Sequence, residues 1–299
     1  MRRHFLVRFN QYQWERFPFL VLIFTTFSVV ASSFVIVLPR TVSLLDQRVA
    51  MLVGTITGVL FLFHMRVSDD HKDHFFDNRY HADRPVQKKI VSLKEIAWLD
   101  RAGIVFQALL NAALFPIALL WWLLAYAYSS VAGGDFFLGA SIRERFYLYN
   151  LLNMLQLLFV QAYLYALIDP AFSAVNILFV IHFLFVLLNA AVLEFARKMK
   201  HPAQESAGND TYSARLGVRG AAAAYGALCL LVYSSFLFLL QRLSASPILL
   251  VCSFAAVAIV TVSIILYLFW ADRRCARIVE GSAVAFYLSM HLLLAATRL

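Results

Sequence analysis

Eight long apolar runs, divided by charged stretches, organise this chain. They cover roughly 17–38, 47–66, 97–131, 146–168, 172–195, 218–241, 247–270 and 282–298. A membrane-crossing helix needs ~20 predominantly apolar residues, so seven of the runs each predict one spanning helix. The run 97–131 is too long for one upright span. It reads either as one tilted helix or as two short ones.

Loop charge separates these readings. The stretch after the second run carries Lys72, Arg79, Arg84, Lys88, Lys89, Lys94 and Arg101, and the stretch after 195 carries Arg197, Lys198, Lys200, Arg215 and Arg219. Clustered lysine and arginine mark the cytoplasmic side, so an even number of spans separates the two stretches. Runs 146–168 and 172–195 supply two, and 97–131 must then contribute two or none. Proline breaks a helix because it lacks an N–H and clashes with the preceding turn, so a split near Phe115-Pro116 predicts two. The expectation is an all-α polytopic membrane helical bundle of about nine transmembrane helices. Its N-terminus is cytoplasmic and its C-terminus outside. Of the 26 lysines and arginines, all but Arg40, Arg48, Arg242 and Arg298 then fall on the cytoplasmic side.

Composition supports a membrane location. Hydrophobic residues make up 62% of the 299 and charged residues only 14%, with a mean hydropathy of +0.74, far from the balance of soluble domains. The net charge of +9 lies in loops between apolar runs, which argues for orientation in a membrane and against nucleic acid. Cys229, Cys252 and Cys275 form no CxxC, so neither a disulfide framework nor a zinc site is expected. The basic start, Arg2-Arg3, followed by the run 17–38, resembles a signal peptide. That run is too long for one and lacks a small-residue cleavage site, so a retained first helix is expected.

The most informative polar segment is Asp69-Asp70-His71-Lys72-Asp73-His74-Phe75-Phe76-Asp77. On a helix, Asp70, Asp73 and Asp77 share a face within ~60° of arc, with Asp69 at its edge. Like charges stacked this way repel, and burying them is costly. A divalent cation is one natural compensation. Mg²⁺ takes one or two carboxylates and completes its shell with water and phosphate oxygens. The pattern therefore points to Mg²⁺ held by Asp70, Asp73 and Asp77, and to a diphosphate with an apolar tail. Arg66, Lys72 and Arg84 stand nearby for its oxygens. The competing reading is a solvated loop with balanced charge; the three-four spacing at a membrane boundary favours the site.

A second charged stretch follows 195. Glu194 lies near the end of an apolar run, where a charge is usually functional, although Arg197, one turn away, is an equally good salt-bridge partner. Asp210-Thr211 has the form of a helix N-cap. His64 reads as a satisfied core histidine, and His71, His74 and His81 are too few for zinc. Asn150, Asn153, Gln156 and Gln161 read as interhelical hydrogen bonders. No Walker A, Rossmann or nucleophile-elbow pattern is present.

Together these residues resemble the UbiA superfamily of membrane prenyltransferases. Its first motif, Asn-Asp-x-x-Asp-x-x-x-Asp at the cytoplasmic end of the second helix, falls on Asp69, Asp70, Asp73 and Asp77, with Asp in place of the leading Asn. Arg84-Pro85 fits the Arg-Pro downstream of it. Thr211 and Leu216-Gly217 resemble the tail of the second motif. That second motif departs from the family: Glu194 stands for its first acid, Arg197 and Lys198 lie near the place of its second, and Glu205 and Asp210 are displaced. The chain is similar to a divergent subgroup.

The resemblance implies one transmembrane domain over 1–299 around a central cavity, with a first acidic loop at 67–96 and a second charged loop at 194–217. It implies an integral enzyme of a bacterial inner membrane that transfers an isoprenoid from a polyprenyl diphosphate to a lipophilic acceptor, with Mg²⁺ as cofactor. Asp70, Asp73, Asp77, Arg84 and Glu194 would be catalytic. Asp69 and Glu194 would join the metal ligands, and Arg66, Lys72, Arg84, Arg197, Lys198 and Tyr212 would bind the diphosphate. Beyond substrates and membrane lipids, no obligatory protein partner is expected. A membrane terpene cyclase on the same scaffold is the alternative. A transporter, which would place charges at mid-membrane, is the third reading.

Overall fold

The computed structural model describes residues 4–37, 44–172, 176–205, 211–270 and 272–298, so Arg2, Arg3, Arg40 and Asp210 lie outside the described residues. The fold is all-helical, with no strand among the described residues. It divides into two compact units, one of Met1–Phe27 with Thr41–Pro170 and the other of Ser28–Arg40 with Ala171–Leu299.

The first unit holds α1 (Phe5–Arg16), the start of α2 (Phe19–Val37), α3 (Leu44–Lys72), α4 (His74–Tyr80), α5 (Leu93–Leu114), α6 (Ala118–Gly133), α7 (Ala140–Arg143) and α8 (Phe146–Ile168). The second holds the rest of α2 with α9 (Ile177–Arg197), α10 (Tyr212–Arg242), α11 (Pro247–Trp270) and α12 (Arg273–Ala295). Seven helices among the described residues are long and apolar enough to cross a membrane, and the chain is a multi-pass integral membrane protein. The run 97–131 is divided at Phe115-Pro116: α5 ends at Leu114, the Phe115 N–H closes on the Asn111 carbonyl, and α6 begins at Ala118. These two helices are not among the seven. The first carries Lys94, Glu95, Asp100 and Arg101, and the second has 16 residues.

In the first unit α3 packs on α5 and α8, and α6 packs on α8. Asn111 and Gln107 of α5 satisfy one another's neighbours across this interior: Tyr163 donates to Asn111 at 2.8 Å, while Gln107 donates to Tyr126 at 2.8 Å and accepts from Trp122 at 3.2 Å. In a membrane such hydrogen bonds join helices that burial alone cannot hold together. At the charged end, a cluster of Tyr12, Phe17, Val59, Phe63, Val67, Val86, Val91 and Ile96 seats α1 against α3 and the start of α5. Arg8 fastens the far end of α1 by a fork to Glu95 at 2.6 and 3.1 Å and a bond to the Ile90 carbonyl at 2.8 Å. Leu6 and Trp14 of α1 are exposed, as suits a helix lying in a membrane interface.

In the second unit α9 packs on α10 and α12, and α11 on α12 and α10. Its interior holds Ser32 between two fully buried histidines, His291 at 2.9 Å and His182 at 3.3 Å. A second pair, Ser282 and Ser263, meets at 2.8 Å.

Candidate functional site

The acidic motif sits where α3 ends. Its helical bonding runs through the break, because the Asp73 N–H reaches the Asp69 carbonyl and the Asp77 N–H the Asp73 carbonyl, each at 2.8 Å. The four aspartates do not act as one face. Residues seven apart on a helix differ by only ~20° in direction, and Asp70 and Asp77 point inward together, their side chains each 3% exposed. Asp69 and Asp73 are the outer pair, with side chains 44% and 38% exposed.

Asp70 is saturated. Tyr12 donates its hydroxyl to one carboxylate oxygen at 2.7 Å, and Arg16 and Arg66 donate to the other at 2.8 and 2.9 Å. Asp77 is paired with Arg84 and lies 4.0 Å from Arg16. Arg16 thus stands between the two buried carboxylates. Burial, and after it the field of Arg66, hold the Arg16 guanidinium below its ordinary range, while burial and the Asp70 charge push the Tyr12 hydroxyl up. Asp70 offsets that penalty for Arg16, and it acts together with burial to keep Tyr12 protonated as a donor.

The outer pair is held more loosely. Lys72 reaches Asp69 at 3.3 Å, with Nζ 5.2 Å from the centre of the Tyr149 ring and 3.4 Å from Asn153. Arg143 approaches Asp73 only to 3.9 Å, because its guanidinium is committed to Asp135, which also accepts from Tyr149 at 2.9 Å. Burial, and then Asp69, push the Asp73 carboxyl above its ordinary range. Close approach of α6 to α3 completes the wall: a Cβ on Gly133 would meet Ser68 Oγ at 2.7 Å.

The sequence-predicted residues Asp69, Asp70, Asp73, Asp77, Arg66, Lys72 and Arg84 therefore do come together. The sequence did not mark Tyr12, Asp135 or Tyr149, and it marked Arg16 and Arg143 only as cytoplasmic charge. A signal for Arg16 exists in hindsight, since Phe5, Phe9 and Tyr12 recur at helical spacing just before it and stack at 5.8 and 5.9 Å.

In the second unit, Glu194 is taken by its own helix: Arg197 bonds it at 2.8 Å and Lys198 at 3.0 Å. Lys198 also lies 5.9 Å from the centre of the Tyr212 ring, which stacks on Phe195 at 3.9 Å. Thr211 caps α10 by accepting from Ala214, as Asp210-Thr211 suggested for one of its two residues. Glu205 accepts from Ser213 at 2.6 Å and from Thr211. Gly217 has φ +67° and ψ 171°, a break inside α10 in a region that essentially only glycine adopts.

The donor set can be tested against Mg²⁺. Among the described residues, no three carboxylate, histidine or cysteine groups converge as a metal site. Asp70 and Asp77 are engaged by guanidiniums, and Glu194 by Arg197 and Lys198. Asp70, Asp77 and Glu194, so engaged, do not fit a divalent cation; Asp69 and Asp73 are the carboxylates of the motif that are held more loosely.

No protein-family model and no curated protein matches the chain. Among solved structures, it is similar to the apo structure of a UbiA homolog from Aeropyrum pernix K1, at 17% identity and a TM-score of 0.65, over 93% of this chain and 98% of that one. The likeness is one of fold.

Proposed function

We propose that this chain, built on the fold of a UbiA homolog, is an integral membrane prenyltransferase that moves an isoprenoid group from a prenyl diphosphate to a lipophilic acceptor. The N-terminus and both charged loops lie on the cytoplasmic face of a bacterial inner membrane. The observation that carries the reading is the gathering of Arg16, Arg66, Lys72, Arg84 and Arg143 around four aspartates at the end of an apolar helix. A lipid-tailed anion would place its head there and its tail among the helices.

The residues support the chemistry. Arg66, Lys72 and Arg84 supply donors to diphosphate oxygens, arginine through its planar fork and lysine as a point charge. The allylic C–O bond breaks with its electron pair leaving on the diphosphate, and fixed cations stabilise that growing charge. The allylic cation is captured by the acceptor, which releases a proton. Asp70, Asp73 and Asp77 orient the cations that face the diphosphate. In the second unit Arg197 and Lys198, with Tyr212 beside them and Glu194 orienting them, form a further cationic group suited to the same class of ligand. Mg²⁺ has no step in this account, because Asp70 and Asp77, the buried acids of the motif, are already engaged by guanidiniums.

The test supplies purified protein in nanodiscs with geranyl, farnesyl and geranylgeranyl diphosphates, with and without a membrane extract. The expected result is a prenylated lipid, formed only with extract. Acceptor-independent release of a cyclised hydrocarbon would instead establish a cyclase. No consumption of any diphosphate by folded protein would end the enzyme reading.

A further inference from the structure

We infer that this chain balances its acidic motif with its own guanidinium groups in place of a divalent cation, so that the end of α3 binds a prenyl diphosphate head without metal. The ligand class rests on the function proposed above; the metal independence rests on the geometry.

Arg16 occupies the place a bridging cation would take. It is 2.8 Å from Asp70 and 4.0 Å from Asp77, the two buried carboxylates of the motif. To bridge the buried pair, Mg²⁺ would have to expel Arg16 and Arg66 from Asp70, a carboxylate that is 3% exposed. Arg16 would then keep only Asp77 at 4.0 Å and Arg66 only Asp69 at 3.9 Å, long pairings that compensate a buried charge poorly. Mg²⁺ also gives up its own water reluctantly and demands near-octahedral geometry, whereas one Asp70 oxygen already accepts from two guanidiniums and the other from Tyr12.

Charge points the same way. Asp69, Asp70, Asp73, Asp77 and Asp135 face Arg16, Arg66, Lys72, Arg84 and Arg143, five against five. The cluster is therefore already neutral, the condition that a bound cation would otherwise create. Each guanidinium carries five N–H donors, and the carboxylates use only some of them. Arg66 Nε is buried with no partner, a donor without an acceptor in a site whose proposed ligand is all acceptors. The second unit repeats the substitution independently: Glu194, the one acid of its motif in register, is taken by Arg197 and Lys198.

The experiment measures binding of farnesyl thiodiphosphate, a slow-reacting analogue, to wild-type protein in detergent by calorimetry, once with EDTA and once with Mg²⁺. A parallel arm follows Mn²⁺ alone by electron paramagnetic resonance. Metal independence predicts dissociation constants within about threefold in the two buffers and no Mn²⁺ bound. Arg66→Lys keeps the charge but removes Nε, and should weaken binding with EDTA about tenfold or more, as loss of a charge-assisted hydrogen bond does. Binding that appears only with Mg²⁺, or stoichiometric Mn²⁺ on the free protein, overturns this inference and leaves the enzyme reading standing. No analogue binding in either buffer overturns the ligand class itself, and the Mn²⁺ arm still decides the question of metal.

Discussion

Removing Arg16 tests whether α1 is fixed by the buried charge of Asp70. The side chains of the pair are 12% and 3% exposed and meet at 2.8 Å. Breaking a buried ion pair from one side costs about 3–5 kcal/mol, because the remaining charge is stranded. Asp70 would keep Tyr12 and Arg66, which places Arg16→Ala near the lower end, about 3 kcal/mol. Tyr12→Phe removes one hydrogen bond to a charged group and should cost about 1.5–3 kcal/mol. The control is Arg197→Ala: that guanidinium also makes an ion pair, but it is 50% exposed, and its loss should cost no more than about 1 kcal/mol. Denaturation in detergent, followed by tryptophan fluorescence, orders the three, and Trp14 in α1 reports its release. Asp70→Asn added to Arg16→Ala should cost less than the two changes summed, by about 0.5–3 kcal/mol. If Arg16→Ala destabilises no more than Arg197→Ala, α1 is not held by Asp70 and the buried pairing is refuted.

Other changes test separate parts of the structure. Gly217→Ala should cost about 1–3 kcal/mol, since φ +67° with ψ 171° is closed to other residues. Gly217→Asn should be no better, whereas rescue by Asn would indicate an ordinary left-handed turn. Asp73→Asn should raise the melting temperature slightly, by less than about 1 kcal/mol of stability, because the carboxyl's raised pKa means that its charged form is disfavoured in the fold. That gain is largest above the pKa of the folded carboxyl and vanishes at low pH, where Asp73 is protonated in both states; a gain independent of pH would contradict the assignment. For orientation, Lys88→Cys and Gln204→Cys, both at exposed positions, should react with an impermeant maleimide in inverted vesicles and not in intact spheroplasts. These would be made with Cys252 replaced, since it is exposed.

The hydropathy pattern located helices better than it located their ends. Runs 146–168 and 247–270 coincide with α8 and α11, and the split at Phe115-Pro116 followed from loop charge before any contact was known. By contrast, the runs ending at 66 and beginning at 218 and 282 extend to Lys72, from Tyr212 and from Arg273. Apolar runs mark where a membrane would be, whereas helical hydrogen bonding continues past the interface until something stops it. At the start of α12 that boundary is Asp272, which caps by accepting from Cys275. Helix α1 escaped notice because twelve residues with Arg8, Glu15 and Arg16 among them are too short and too charged to suggest a span.

The acidic motif shows where a linear reading stops. Spacing alone groups Asp70, Asp73 and Asp77 on one face, and all three do lie at one helix end. Which of them are buried depends on what docks there, and the docking helix is supplied from far upstream. Tyr12 and Arg16 are 58 and 54 residues from Asp70. Nothing local to Asp70 announces them, because a contact of that separation is made by packing of Phe17 and Phe63, whose rings lie 5.2 Å apart, and not by periodicity. Once they arrive, the same four charges change meaning. Unpartnered, they would demand a cation from solution; paired with Arg16, Arg66, Lys72 and Arg84, they hold a group of donors in place. An acidic spacing in a membrane helix therefore predicts a metal only after the guanidiniums within reach of each carboxylate have been counted, and here those within reach of Asp70 and Asp77 fill the places a metal would need.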